Sequence, residues 1–170
     1  MNLKDLQAVI TSAKARGQEP LDRFLRERLP DSSDEEIQEA AEVSIEIIES
    51  IPVFLAAAKK AASDQQLSVV VEPLLEQAVR YFMHPVDLIP EMTQGLAGLL
   101  DDSYLVLRIL SNLEQGPDPL VEWDLEYPTA FLRRLIGEKI AKQLDAMSLM
   151  AFQEASGSVR GLGSQELHDA

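Results

Sequence analysis

The sequence has no cysteine. That removes disulfides, thiolate metal sites and cysteine nucleophiles together, and it suits a reducing, cytoplasmic setting. Histidine is nearly absent as well, and only His84 lies outside the C-terminal tail. It has no cysteine to pair with, and no serine stands in a nucleophile-elbow context, so no familiar triad is written in the chain. His84 reads more simply as a helix-end residue facing the last carbonyls. Long apolar runs are also missing. The longest uncharged stretches, Ser50–Ala58 and Met92–Leu100, are nine residues each, whereas a bilayer-spanning helix needs about 20. Lys4, Asp5 and Lys14 interrupt the apolar residues of the N-terminus, so no signal peptide is expected.

Positive charge is scarce. Fifteen Lys and Arg face 29 Asp and Glu, for a net charge of −14. A surface of that sign repels the phosphate backbone of nucleic acids, and anionic membranes are disfavoured for the same reason. What is present is ordinary for a globular chain: 46% apolar and 26% charged residues over 170 positions. That length bounds one domain with a real core.

The patterning is helical throughout, and no alternating strand period is seen. Leu3, Leu6, Ile10 and Ala13 recur at helical spacing over residues 2–16, and Gly17 closes that helix. Pro20 opens a second helix carrying Leu21, Phe24, Leu25 and Leu29, and Pro30 stops it. This N-terminal pair, residues 1–30, is mildly basic.

Residues 31–62 read as one long helix. Ser33 and Glu36 form a capping-box pattern. Ile37, Ala41, Ser44, Ile48, Ile51, Leu55 and Ala58 make a core-facing stripe. A second stripe is entirely acidic: Glu35, Glu39, Glu42, Glu46 and Glu49. Pro52 is expected to kink or break this helix near Ser50.

A helix follows from about Leu67 to Met83, with Val71, Leu74, Leu75, Ala78 and Phe82 inward. Pro73 allows a start nearer Glu72. After a turn comes a helix with Leu99, Leu100, Leu107, Leu110 and Leu113, apolar nearly all round and so expected to be the most buried. Residues 115–128 read as an irregular loop holding the lone Trp123. A final helix is expected from about Pro128 to Phe152, with Leu132, Leu135, Ile140, Leu144 and Met147 inward. The Gly- and Ser-rich tail, 156–170, is expected to be flexible.

The centre of the chain is the stretch from Tyr81 to Leu113, YFMHPVDLIPEMTQGLAGLLDDSYLVLRILSNL. Tyr81, Pro85, Asp87, Leu88, Ile89, Pro90, Gly98, Leu100, Asp101 and Asp102 resemble the signature of the YkvA-like family, a bacterial domain of unknown function. Glu91 stands where that signature has Asp. The resemblance rests on Tyr81 to Asp102, within a core region spanning 67–114. It implies a small helical domain, no established activity, and relatives that are often membrane-associated. The charge of this chain argues against a peripheral membrane role for it.

Asp87, Glu91, Asp101 and Asp102 are four carboxylates in sixteen residues. Converging, they would suit a hard cation such as Mg²⁺, Mn²⁺ or Ca²⁺. Capping accounts for the same residues more simply. Asp87 can accept backbone N–H bonds at the start of the Leu88 turn, and Asp101 and Asp102 suit a positive helix start. Pro85 and Pro90 restrict the backbone on either side and would hold two buried helices at a set angle.

The acidic stripe has two readings too. It is a solvated face, neutralised in part by Lys14, Arg16, Arg23, Arg26 and Arg28 of the N-terminal pair, or it meets a basic partner protein. Trp123 and Tyr127 would serve that partner as aromatic anchors or fold back over the core. The reading is therefore a single all-α bundle of five or six helices. It serves as a non-enzymatic interaction module with an acidic surface and a basic protein partner. The alternative is a metal-dependent hydrolase using Asp87, Glu91, Asp101 and Asp102.

Overall fold

The computed structural model describes residues 2–84, 95–114 and 124–168, with side chains up to Ala155 in the last helix. Among these residues the chain forms seven α-helices and no strand, an all-α fold. They are α1 (Leu3–Ala15), α2 (Glu19–Arg28), α3 (Asp34–Asp64), α4 (Ser68–Met83), α5 (Leu100–Leu113), α6 (Glu126–Ile136) and α7 (Glu138–His168).

The N-terminal elements form where their end signals stand. Asn2 Oδ1 accepts from the Lys4 and Asp5 N–H groups and caps α1. Gly17, at φ 93°, takes the left-handed conformation that lets the chain turn out of α1. Pro20 lies in the first turn of α2, where its missing N–H has no partner to lose. Ser33 and Glu36 make the reciprocal capping box: Ser33 Oγ accepts from Glu36 N, and Glu36 Oε1 accepts from Ser33 N, each at 3.2 Å.

Of the kink or break expected near Ser50, the break does not occur: helix α3 runs on through Pro52. Pro52 forfeits one backbone bond, but it is buried in the same face as Ile48, Ile51 and Leu55. Packing along the whole helix outweighs one lost bond. The turn from α3 to α4 is a Schellman motif. Leu67 N–H reaches back to Ala62 O at 2.7 Å, and Gln66 N–H to Ser63 O at 3.2 Å. Gln66 occupies the left-handed position at φ 59°. That turn fixes the start of α4 at Ser68, earlier than Glu72, and Pro73 is accommodated inside the helix.

Helix α5 is central. It contacts α3, α4, α6 and α7, and every residue from Leu100 to Leu107 is buried, the polar Asp101, Asp102 and Ser103 included; the near all-round apolarity predicts the burial of the rest. Before it, Gly95–Leu99 is a short 3₁₀ helix packed on α1 and α2. The core stripes expected on α3 and α4 are buried in full.

The last helical region departs from expectation at Gly137. One helix was expected from Pro128 to Phe152. Instead α6 ends and α7 begins at Gly137, at φ 90° and ψ 154°. This split takes the count to seven. Gly137 N–H bonds Arg133 O, and Gly137 O receives the N–H of Ala141, both at 3.0 Å. One glycine therefore terminates one helix and initiates the next. Leu132, Leu135 and Leu144 are buried as expected, whereas Ile140 and Met147 are only half-buried. The backbone of α7 is helical to His168. A nucleated helix gains one bond per residue added, and interior glycines cost it only about 1 kcal/mol each.

Candidate functional site

Three features emerge as candidates, and the central motif comes first. Asp101 and Asp102 fall in the first turn of α5, where the dipole favours negative charge. Both are 3% exposed. Asp101 Oδ1 accepts from the Asp102 N–H at 2.9 Å. Tyr81 is half-buried near the end of α4, and His84 caps its C-terminus, its backbone N–H bonding Arg80 O at 2.9 Å. Pro85, Asp87, Leu88, Ile89, Pro90 and Glu91 lie outside the described residues, as does Trp123. Among the described residues, no three His, Cys, Asp or Glu side chains gather at one metal position.

The 3₁₀ segment shows what the described end of the motif packs against. Gly95, at φ 61°, places its α-carbon beside the C-terminal end of α1. A Cβ there would meet Ala13 O at 3.8 Å and Arg16 Cβ at 4.0 Å. The approach to α5 therefore docks on the N-terminal pair.

The second feature is a polar cluster that sequence reading missed. Tyr104 of α5 is fully buried, and its hydroxyl donates to Asp145 Oδ1 of α7 at 2.7 Å. Arg133 of α6 donates from Nη1 to the Tyr104 hydroxyl at 2.7 Å and to Asp145 Oδ2 at 2.8 Å. Its Nε and Nη2 hold both oxygens of Glu138, at 2.8 and 2.9 Å. Arg108 Nε lies 3.0 Å from Asp145 Oδ1. Burial, joined by the bond to Asp145, pushes the Tyr104 hydroxyl up to about 12. Burial also acts to raise the Asp145 carboxyl, but bonds from Arg133 and Tyr104 and the charge of Arg108 hold it below its ordinary value. The bonds to Glu138 and Asp145 raise Arg133 further still. The cluster clamps α5, α6 and α7 together. A cavity of about 340 Å³ borders it, lined in part by Arg108, Ser111, Thr129 and Arg133. Tyr104, Arg133 and Asp145 come from three helices, 29 and 12 positions apart, so no local pattern signalled the cluster.

The third feature is the acidic face of α3. Glu35, Glu39, Glu42 and Glu46 are exposed, and Glu49 is half-buried. The N-terminal pair does meet α3 electrostatically: Lys14 pairs with Glu49, and Arg26 Nη1 pairs with Asp34 Oδ1 at 2.7 Å. Among the described residues, no basic side chain reaches Glu35, Glu39, Glu42 or Glu46; Glu42 accepts only from Gln38, at 3.2 Å. Beside this face lies a groove of about 260 Å³ between the α2–α3 junction and α6. Tyr127 and Phe131 of α6 stack on its far side, ring centroids 6.4 Å apart.

Residues 78–107 match the family model described as Protein of unknown function (DUF1232). The match runs from the second half of α4 to Leu107 of α5. It therefore takes in Asp101, Asp102 and Tyr104 but neither the acidic face nor the groove. The DUF1232 match agrees with the resemblance of the central stretch to a domain of unknown function. No curated protein matches the chain, and no solved structure matches it. No helix among the described residues is long and apolar enough to cross a membrane.

Proposed function

We propose that the chain is a non-enzymatic interaction module that binds a basic protein surface through the acidic face of α3. The observation that carries this reading is the row Glu35, Glu39, Glu42 and Glu46, exposed and, among the described residues, in ion-pair contact with no basic side chain. Like charges three and four residues apart on a helix repel by roughly 0.2–0.5 kcal/mol per pair. A basic partner removes that repulsion and gains steering from the overall charge of −14. Among the described residues, relief stops at Asp34 and Glu49, just beyond either end of the row.

The test is binding of a fluorescent ten-lysine peptide, followed by anisotropy at rising salt. A variant with Glu35, Glu39, Glu42 and Glu46 all changed to Gln is compared with a control of equal charge. The control carries Glu27→Gln, Asp64→Asn, Glu76→Gln and Glu154→Gln, all at exposed sites elsewhere. The stripe variant loses most of the binding, and the control retains it. Equal losses in both variants would reduce the interaction to net charge and remove the proposal.

A further inference from the structure

The groove beside the acidic face sharpens the nature of the partner. On α3 the groove is lined by Glu36, Glu39, Ala40 and Val43, and the acidic row is Glu35, Glu39, Glu42, Glu46 and Glu49. At about 100° per residue, these two sets form adjacent strips of the helix surface that share Glu39. A groove with an apolar floor of Leu29, Ala40, Val43, Phe131 and Leu135 and charged residues among its lining thus runs alongside a ladder of carboxylates. Opposite α3, α6 contributes Tyr127, Phe131, Arg134 and Leu135. Tyr127 is 64% exposed, an aromatic ring held in place by its stack on Phe131 rather than by burial.

At about 260 Å³ the groove falls below the roughly 300–1,000 Å³ of small-molecule pockets. It is suited instead to one or two side chains presented by a larger partner. Its charges are asymmetric. Glu36 and Glu39 stand on the α3 wall, and the exposed Arg134 stands on the α6 wall. Glu36 is engaged with the Ser33 N–H, which leaves Glu39 as the rim carboxylate open to a partner. A second copy of this chain would bring another −14 of charge to the same face, which disfavours self-docking.

We infer that this groove receives an amphipathic helix of a partner protein. Its apolar residues, at i and i+3 or i+4, enter between Val43 and Tyr127. Lysines or arginines along one flank run beside Glu39, Glu42 and Glu46. An acidic residue on its other flank meets Arg134. This is helix-in-groove recognition, and it rests on the acidic-face reading while adding an apolar anchor to it.

The experiment uses two peptides of equal charge on the full chain: the ten-lysine peptide, and an amphipathic helix with leucines along one face and ten lysines beside them. Binding is measured for the native protein, for Tyr127→Ser and for the four-glutamine stripe variant, with circular dichroism confirming the fold of each. The amphipathic peptide binds the native protein more tightly than ten-lysine. Tyr127→Ser weakens the amphipathic peptide roughly tenfold or more, as loss of an aromatic anchor does, and leaves ten-lysine unchanged. Val43→Asn, on the opposite wall, gives the same split. If both peptides bind equally and ignore Tyr127 and Val43 while still needing the stripe, the groove inference fails and the acidic-face reading stands. If neither peptide needs the stripe, both fail. Sedimentation showing a dimer of the native chain that Tyr127→Ser dissociates would assign the groove to a second copy and overturn the inference.

Discussion

The Tyr104 hydroxyl and the Asp145 carboxylate, 41 positions apart, meet at 2.7 Å where α5 and α7 cross. Arg133 and Arg108 close on the same carboxylate from α6 and α5. Removing different members of this cluster should not cost the same. Tyr104→Phe deletes one hydroxyl and leaves Asp145 still paired with two guanidiniums; a loss of about 1–2 kcal/mol is expected. Asp145→Ala takes the carboxylate from Arg108 and leaves Arg133 only that of Glu138, the two arginine side chains being only 28% and 29% exposed. Stranding a buried charge costs about 3–5 kcal/mol, and partial exposure brings that down to roughly 2–4 kcal/mol. Urea unfolding of both variants checks the order, and Asp145→Ala falling within error of Tyr104→Phe would contradict it.

The same contact makes stability depend on pH at both ends. The Asp145 carboxyl titrates lower in the fold than its ordinary 3.8, so its contribution is present above that value and fades as the pH falls below it. Tyr104 titrates higher in the fold, about 12 against 10. Its contribution is complete below pH 10 and is lost as the pH climbs towards 12. The stability gap between the native chain and Tyr104→Phe should therefore narrow between pH 10 and 12. A gap that stays constant across that window would mean that the Tyr104 hydroxyl titrates normally in the fold.

Gln66 holds the left-handed position of the Schellman turn between α3 and α4, at φ 59°. A side chain in that conformation costs roughly 1–2 kcal/mol, which glycine avoids at some entropic expense. Gln66→Gly should raise stability by about 0.5–1 kcal/mol and shift the thermal midpoint upward. A lowered midpoint would show that the Gln66 side chain contributes packing that outweighs its backbone strain.

The helices with strong local signals were legible in the sequence. Ser33 with Glu36, Pro20 after Gly17, and the apolar stripes of α3 and α4 each state their role within a few residues. Leu100 to Leu110 announced its burial by being apolar nearly all round. What stayed hidden depends on distant partners or on a single dihedral. Pro52 looks like a breaker until the packing of its buried face is known. Tyr104, Arg133 and Asp145 share no spacing, and each looks like an ordinary helix residue by itself. Of the candidate sites, the acidic row was legible because it repeats at helical period. The groove beside it was not, because Val43 and Tyr127 line it from two helices whose angle no local pattern encodes. Asp87 and Glu91 lie outside the described residues, so their relation to Asp101 and Asp102 rests on the sequence alone.

Gly137 is where one dihedral redirects the fold. The residues from Pro128 to Phe152 keep an apolar stripe compatible with one straight helix, and only the glycine at φ 90° and ψ 154° divides it. That conformation is open almost solely to glycine, and other residues pay about 1–3 kcal/mol to adopt it. A Cβ at Gly137 would meet nothing within 4 Å, so the cost of Gly137→Ala is backbone strain alone. The bend also lets Arg133, before it, grip Glu138 just after it and Asp145 beyond. Gly137→Ala should lower the unfolding free energy by roughly 1–3 kcal/mol. Because the strain sits where α6 turns into α7, amide hydrogen exchange should speed up first around Arg133–Ala141. Uniform exchange along both helices, with stability unchanged, would show that alanine adopts the bend freely and that Gly137 is not what divides α6 from α7.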